Sequence, residues 1–287
     1  MRRGEMGRIL SPTGSWYRNH KPKGQHVTAP EKTPIIVVEN LTAQYGENVI
    51  FRDVNFQVMR GEILVILGGS GCGKSTLLKH MFGLYKPVAG RVLINGIDVA
   101  TDDETALKTI RKDIGVLFQS GALFGSMTLA ENVSLPLEEY TDLSREAIDR
   151  IVRMKLNMVN LSGFEKHLPS ELSGGMKKRA GLARAMALDP TVLFFDEPSA
   201  GLDPVTSAEL DILMKQINSG LGTTMVVVTH ELDSLFSIAH RIVMLDKEAK
   251  GIIAVGNPLE LKESSTDPRV TNFFNRTPAG YDTRGAK

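Results

Sequence analysis

From Ile35 onward, short apolar runs alternate with turn residues. Ile35 to Val38, Val54 to Met59 and Ile63 to Leu67 read as strands, broken by Gly46-Glu47-Asn48 and Arg60-Gly61. A glycine-rich stretch follows, then Lys74 to Gly83 with helical character, and Arg91 to Ile94 reads as a strand ending on the tight-turn pair Asn95-Gly96. Thr101 and Glu104 have capping-box spacing, which predicts a helix to about Lys112. Ile114 to Phe118 is then a short buried strand.

Between Gln119 and about Ala187 the pattern turns helical. Ile148, Ile151, Val152 and Leu156 recur at helical spacing behind a Ser144 cap. Strands return at Val192 to Phe195 and Met225 to Thr229, continuous apolar runs of the kind buried on both faces of a parallel sheet. A helix from about Thr206 to Asn218 joins them. The expected architecture is α/β: a small antiparallel β subdomain, a parallel core and an inserted helical subdomain at about 120–187. No internal duplication is visible, so one such domain is expected, over 34–256, between a 1–33 tail and a 257–287 extension.

Composition narrows the class. The 287 residues are 42% hydrophobic and 23% charged, ordinary globular values. Cys72 is the single cysteine, which excludes an intramolecular disulfide and a multi-cysteine zinc site. No apolar run reaches the roughly 18 to 20 residues a membrane-spanning helix needs. Basic residues at the start are not followed by an apolar segment, so no secretory signal is expected.

The net charge of +1 hides an asymmetry: residues 1 to 33 hold seven Lys/Arg against two Asp/Glu, and the rest holds 27 against 31. The Gly-, Pro- and Lys-rich composition of that tail predicts disorder. With Trp16 and Tyr17 it also suits anionic lipid headgroups. No nucleic-acid partner is expected.

Gly68-Gly69-Ser70-Gly71-Cys72-Gly73-Lys74-Ser75-Thr76 fits the GxxxxGK[ST] phosphate loop, placed between a strand and a helix as that loop requires. Glycines let backbone N–H groups wrap phosphates, and the helix N-terminus adds partial positive charge. Lys74 is expected at the β- and γ-phosphates of a bound nucleotide and Ser75 at Mg²⁺. Asp196, ending an apolar strand, is assigned to Mg²⁺ through water, and Glu197 to general base or water positioning. Paired acids before Pro198 also occur as plain turn caps, and the upstream loop favours the functional reading.

Ser173 is a good helix N-cap that leaves the amides of Gly174 and Gly175 free. On residues alone, a capped amphipathic helix with Lys177, Lys178 and Arg179 in solvent is the preferred reading.

A resemblance overturns that preference. The phosphate loop, Leu172-Ser173-Gly174-Gly175-Met176, Phe194-Phe195-Asp196-Glu197-Pro198 and Val228-Thr229-His230 resemble the ATP-binding cassette (ABC) ATPases, over about 35–256. The resemblance implies a P-loop NTPase (RecA-like) core and two cassettes paired head to tail, so that Ser173 and Gly175 contact ATP held by a second copy of the chain. It further implies that Tyr45 stacks on adenine, that Gln119 approaches Mg²⁺ and the attacking water, that Asp203 links the two sites and that His230 contacts the γ-phosphate. For these, a core or turn tyrosine, a surface glutamine, a turn aspartate and an incidental histidine are the plain alternatives.

Met176, in place of the commoner glutamine, resembles the Mla/Mce-associated lipid-transport ATPases, as do Lys177 to Pro190, Asn132-Val133, Leu135-Pro136-Leu137 and Val228 to Leu232. That group implies a peripheral ATPase on the cytoplasmic face of the inner membrane, under an integral membrane permease, with a lipid-binding Mce-domain protein beyond. A soluble ABC ATPase of a cytosolic assembly complex, of the Fe-S cluster type, or the ATPase of an importer for another substrate are the alternatives. In the extension, Val270, Phe273 and Phe274 form one face of a short helix, expected to dock on the partner subunit.

Overall fold

The computed structural model describes residues 33–277; the basic tail expected over 1–33 lies outside them but for its last residue. Two long antiparallel strands come first, β1 (Pro34–Tyr45) and β2 (Asn48–Met59). Both outrun the expected segments, because pairing with a neighbour carries the ladder past the apolar residues. β4 (Ala89–Ile94) and β5 (Ile97–Asp98) complete a four-stranded sheet in the order β2-β1-β4-β5.

The second sheet has six strands. β3 (Ile63–Gly68) lies between β8 (Thr224–Val228) and β9 (Arg241–Asp246), and the order is β10-β9-β3-β8-β7-β6. The others are β6 (Ile114–Leu117), β7 (Val192–Asp196) and β10 (Gly251–Gly256). All pairings are parallel except β10 with β9.

Successive side chains of a strand point to opposite faces, and this sheet is buried on both. Leu64, Ile66, Phe194 and Val226 pack toward the antiparallel sheet and α1 (Lys74–Met81). Val65, Leu67, Phe195 and Val227 pack into the second core, with the helices of the other face. That explains why these strands read as unbroken apolar runs.

α2 (Glu104–Asp113) leads into β6. Its cap is Asp103, whose Oδ1 accepts from the Thr105 amide at 2.9 Å; the expected cap Thr101 instead accepts from the Asp103 amide at 3.2 Å. Aspartate is the stronger N-cap, and the threonine forms the turn before it. The inserted helices are α3 (Leu129–Tyr140), α4 (Arg145–Met158), capped by Ser144 as expected, and α5 (Gly174–Ala185). α6 (Pro204–Leu221) and α7 (Leu232–Ile238) flank β8.

The extension contains α8 (Pro258–Ser264) and α9 (Pro268–Phe274). The apolar face expected to dock on a partner is covered by the chain itself. Val270 and Phe274 are buried in the second core, and the Phe274 ring lies 5.8 Å from that of Phe236 on α7.

Candidate functional site

Parallel pairing of β3, β8, β7 and β6 brings their carboxyl ends to one edge of the sheet, where open α/β sheets bind ligands. Gly68 ends β3, Asp196 ends β7 with Glu197 after it, His230 follows β8 by two residues, and Gln119 follows β6 by two. Four separate sequence segments therefore converge.

The loop from Gly68 to Gly73 opens α1. Gly73 takes a left-handed φ of 99°, a conformation glycine adopts at no steric cost, and no side chain caps the helix start. The first amides of α1 are thus available to an anion. Gly69, Ser70 and Gly71 are exposed at the tip. Lys74 curls back, its Nζ donating to the carbonyls of Gly68 at 2.9 Å and Gly69 at 3.1 Å. Ser75 Oγ donates to Asp196 Oδ1 at 2.8 Å. Thr76 is half-buried and its carbonyl meets His80 Nδ1. Cys72 is buried, and burial raises the pKa of its thiol.

Ser75 and Asp196 together offer two hard oxygens of the kind Mg²⁺ selects, beside a loop shaped for phosphates. Among the described residues no cluster of three His, Cys, Asp or Glu could hold a metal alone. That composition fits an ion completed by phosphate and water rather than an all-protein cage.

Glu197 has a φ of 51°, uncommon for a residue with a side chain, and its amide donates to the Val228 carbonyl at 2.9 Å. Its side chain is 15% exposed. His230 Nδ1 lies 2.7 Å from Glu197 Oε2 but off the line of a hydrogen bond, so among the described residues Oε2 has no aligned donor. A buried carboxylate oxygen without a donor is costly, and such strain clusters at functional sites. Gln119 is exposed at the same edge. Tyr45, at the end of β1, is 49% exposed and meets the Tyr85 ring edge to face at 6.2 Å.

Leu172 to Met176, the signature segment, is built separately. Ser173 Oγ accepts from the Met176 amide at 3.3 Å and caps α5. Gly174 is exposed and Gly175 is buried against α6, where a Cβ would meet Thr206 Cγ2 at 2.5 Å. Among the described residues no hydrogen bond joins Ser173, Gly174 or Gly175 to the phosphate loop. Asp203 caps α6, accepting from the amides of Val205 and Thr206 at 3.0 Å each and from the Thr206 hydroxyl. Those bonds from Thr206 hold its carboxyl below the usual range.

A sequence profile of the ABC transporter family matches residues 51–200. The chain belongs to that family. An intermembrane phospholipid transport system ATP-binding protein, MlaF, from Haemophilus influenzae is 42% identical over 84% of this chain and 90% of its own length. A probable ribonucleotide transport ATP-binding protein, mkl, from Mycobacterium leprae is 43% identical over 84% of this chain and 68% of its own. Among solved structures, a dimeric ATP-binding cassette in a post-hydrolysis state with ADP and Pi has a TM-score of 0.70 and 33% identity, covering 77% of this chain and 98% of that one. The ABC cassette fold, ATP as nucleotide and ATPase activity follow from these matches.

Lys178 was not recognised in the sequence. Read there as solvated beside Lys177 and Arg179, it is buried. Its position with Gly175, Gly181 and Leu182 on one helical stripe, all buried, is the periodicity that marks it. Arg179 is 19% exposed and pairs with Glu209.

Proposed function

We propose that the chain is the ATPase subunit of a transporter that moves phospholipid through a separate integral membrane permease, with an Mce-domain lipid-binding protein beyond the membrane. It works as a peripheral subunit on the cytoplasmic face of the inner membrane. The observation that carries the catalytic part is the convergence of the phosphate loop, Asp196, Glu197 and His230 on one sheet edge. For the cargo, the two relatives are almost equally identical, but the chain spans 90% of the phospholipid system's subunit against 68% of the ribonucleotide one, which favours lipid.

The working unit is a pair of chains with two shared ATP sites. Tyr45 stacks on adenine, Lys74 and the amides from Gly69 to Thr76 hold the β- and γ-phosphates, and Ser173 and Gly175 of the second copy close on the γ-phosphate. Ser75, Asp196 and Gln119 hold Mg²⁺, which when bound neutralises charge on the β- and γ-phosphates. Glu197 orients the attacking water and takes its proton, and His230 reaches the γ-phosphate. Asp203 stands between the two sites. The dimeric cassette among the structural neighbours supports this arrangement.

Purification of the native complex from detergent-solubilised membranes tests the cargo. A permease recovered with bound phospholipid supports the proposal. Recovery with soluble partners alone, or ATPase activity raised by ribonucleotide and not by phospholipid, overturns it.

A further inference from the structure

Behind the signature segment, one buried cation joins two parts of the catalytic machinery. Lys178 lies in the second turn of α5 and is 5% exposed. Its Nζ donates to the carbonyls of Pro198 at 2.8 Å, Glu197 at 3.2 Å and Ala200 at 3.2 Å. An ammonium has three N–H groups, so these carbonyls use them all. Burial pushes the ammonium pKa down, while Glu231 and Glu197 nearby pull it the other way. A buried charge is tolerated only when bonded this fully.

What it grips is specific. The Glu197 carbonyl belongs to the residue in the left-handed conformation, whose backbone aims the carboxylate. The Pro198 and Ala200 carbonyls belong to the segment leading to Asp203. Arg179 adds a second tie, from α5 to Glu209 on α6.

We propose that Lys178 is a positioning residue coupling the signature helix to Glu197, so that engagement of Ser173 and Gly175 with one ATP sets the catalytic carboxylate that serves the other. The inference rests on the shared-site reading above. The signature of a chain then serves its partner's ATP while Glu197 serves its own, and Lys178 is the bond between them. Close-packed interiors transmit displacement rather than absorb it. A shift of the α5 start onto a γ-phosphate therefore reaches the Glu197 peptide through the three carbonyls.

The test uses the full-length chain and Lys178→Met, which keeps length but removes charge and donors. Steady-state hydrolysis against ATP concentration should show kcat reduced about tenfold or more, as for a displaced catalytic group. Half-saturating ATP should change little and cooperativity in ATP should disappear, a split that general loosening would not produce. If Lys178→Met fails to fold, Lys178→Arg is read instead. It keeps the charge, but its planar fork cannot follow the three carbonyls, so the same pattern is expected in milder form.

Wild-type kcat and cooperativity in the folded variant overturn the coupling. So does a wild type without cooperativity whose Glu197→Gln variant still dimerises with ATP. A Glu197→Gln variant that binds ATP and stays monomeric overturns the shared-site reading instead, and the coupling with it.

Discussion

His230 Nδ1 and Glu197 Oε2 lie 2.7 Å apart at the carboxyl edge of the parallel sheet, just past the ends of β8 and β7. The Glu197 side chain is largely buried and that of His230 is 62% exposed, so the histidine is the solvent-facing side of the pair. Glu197→Gln should lower kcat by about 10² to 10⁴ while ATP binding survives, because in the proposed mechanism the amide keeps the shape and loses the base. Nucleotide-binding and single-turnover measurements on the same sample check this; loss of ATP binding itself contradicts the role.

Cys72 sits inside the phosphate loop, where bound ATP would be expected to shield it from thiol reagents. The structure changes that expectation. Its side chain is buried and burial raises the thiol pKa, so little thiolate exists at neutral pH even without nucleotide. Labelling of the folded chain should be slow with and without ATP, and should accelerate at higher pH than labelling of a free cysteine. A reagent titration followed by mass spectrometry distinguishes this from ATP-gated labelling.

The C-terminal helix belongs to the fold of its own chain. Phe274 is buried against Phe236 and Val270 is fully enclosed. Phe274→Ala should destabilise the chain by about 3 kcal/mol, the usual cost of emptying a buried phenylalanine site. Denaturant melts measure this. An unchanged midpoint, with loss of ATP-dependent dimerisation, would return the helix to the interface role first expected of it.

Asp203 caps α6 with both carboxylate oxygens, and its hydrogen bonds from Thr206 lower its pKa. A depressed carboxylate stabilises the fold above its unfolded pKa, and that contribution is lost as pH falls through the folded value. Asp203→Ala should therefore lower Tm at neutral pH, and the gap to wild type should close in acid. A gap independent of pH would contradict the capping account.

Much of this was legible beforehand because the chemistry is local. The phosphate loop needs glycines next to a strand end, and β3, β7 and β8 are buried on both faces, so their apolar runs are unbroken. Local rules failed where tertiary contacts decide. Thr101 had cap spacing but lost to Asp103, which stands nearer the helix. Lys178 looked like one of three solvated cations because carbonyls more than a dozen residues away, invisible to a pattern, are what bury it. Phe274 looked orphaned because its partner Phe236 is distant in the chain. The pairing of Tyr45 with Tyr85 left no periodic trace at all.

In the proposed mechanism two chains share each ATP site, and mixing defective chains is the decisive experiment. Lys74→Ala removes the phosphate-loop lysine and Ser173→Arg blocks the signature segment, so each variant alone should hydrolyse almost no ATP. In a mixed pair both defects can fall on one composite site and leave the other whole. Shared sites should restore partial ATPase activity on mixing. Confirmed mixed dimers that remain inactive would rule out shared sites.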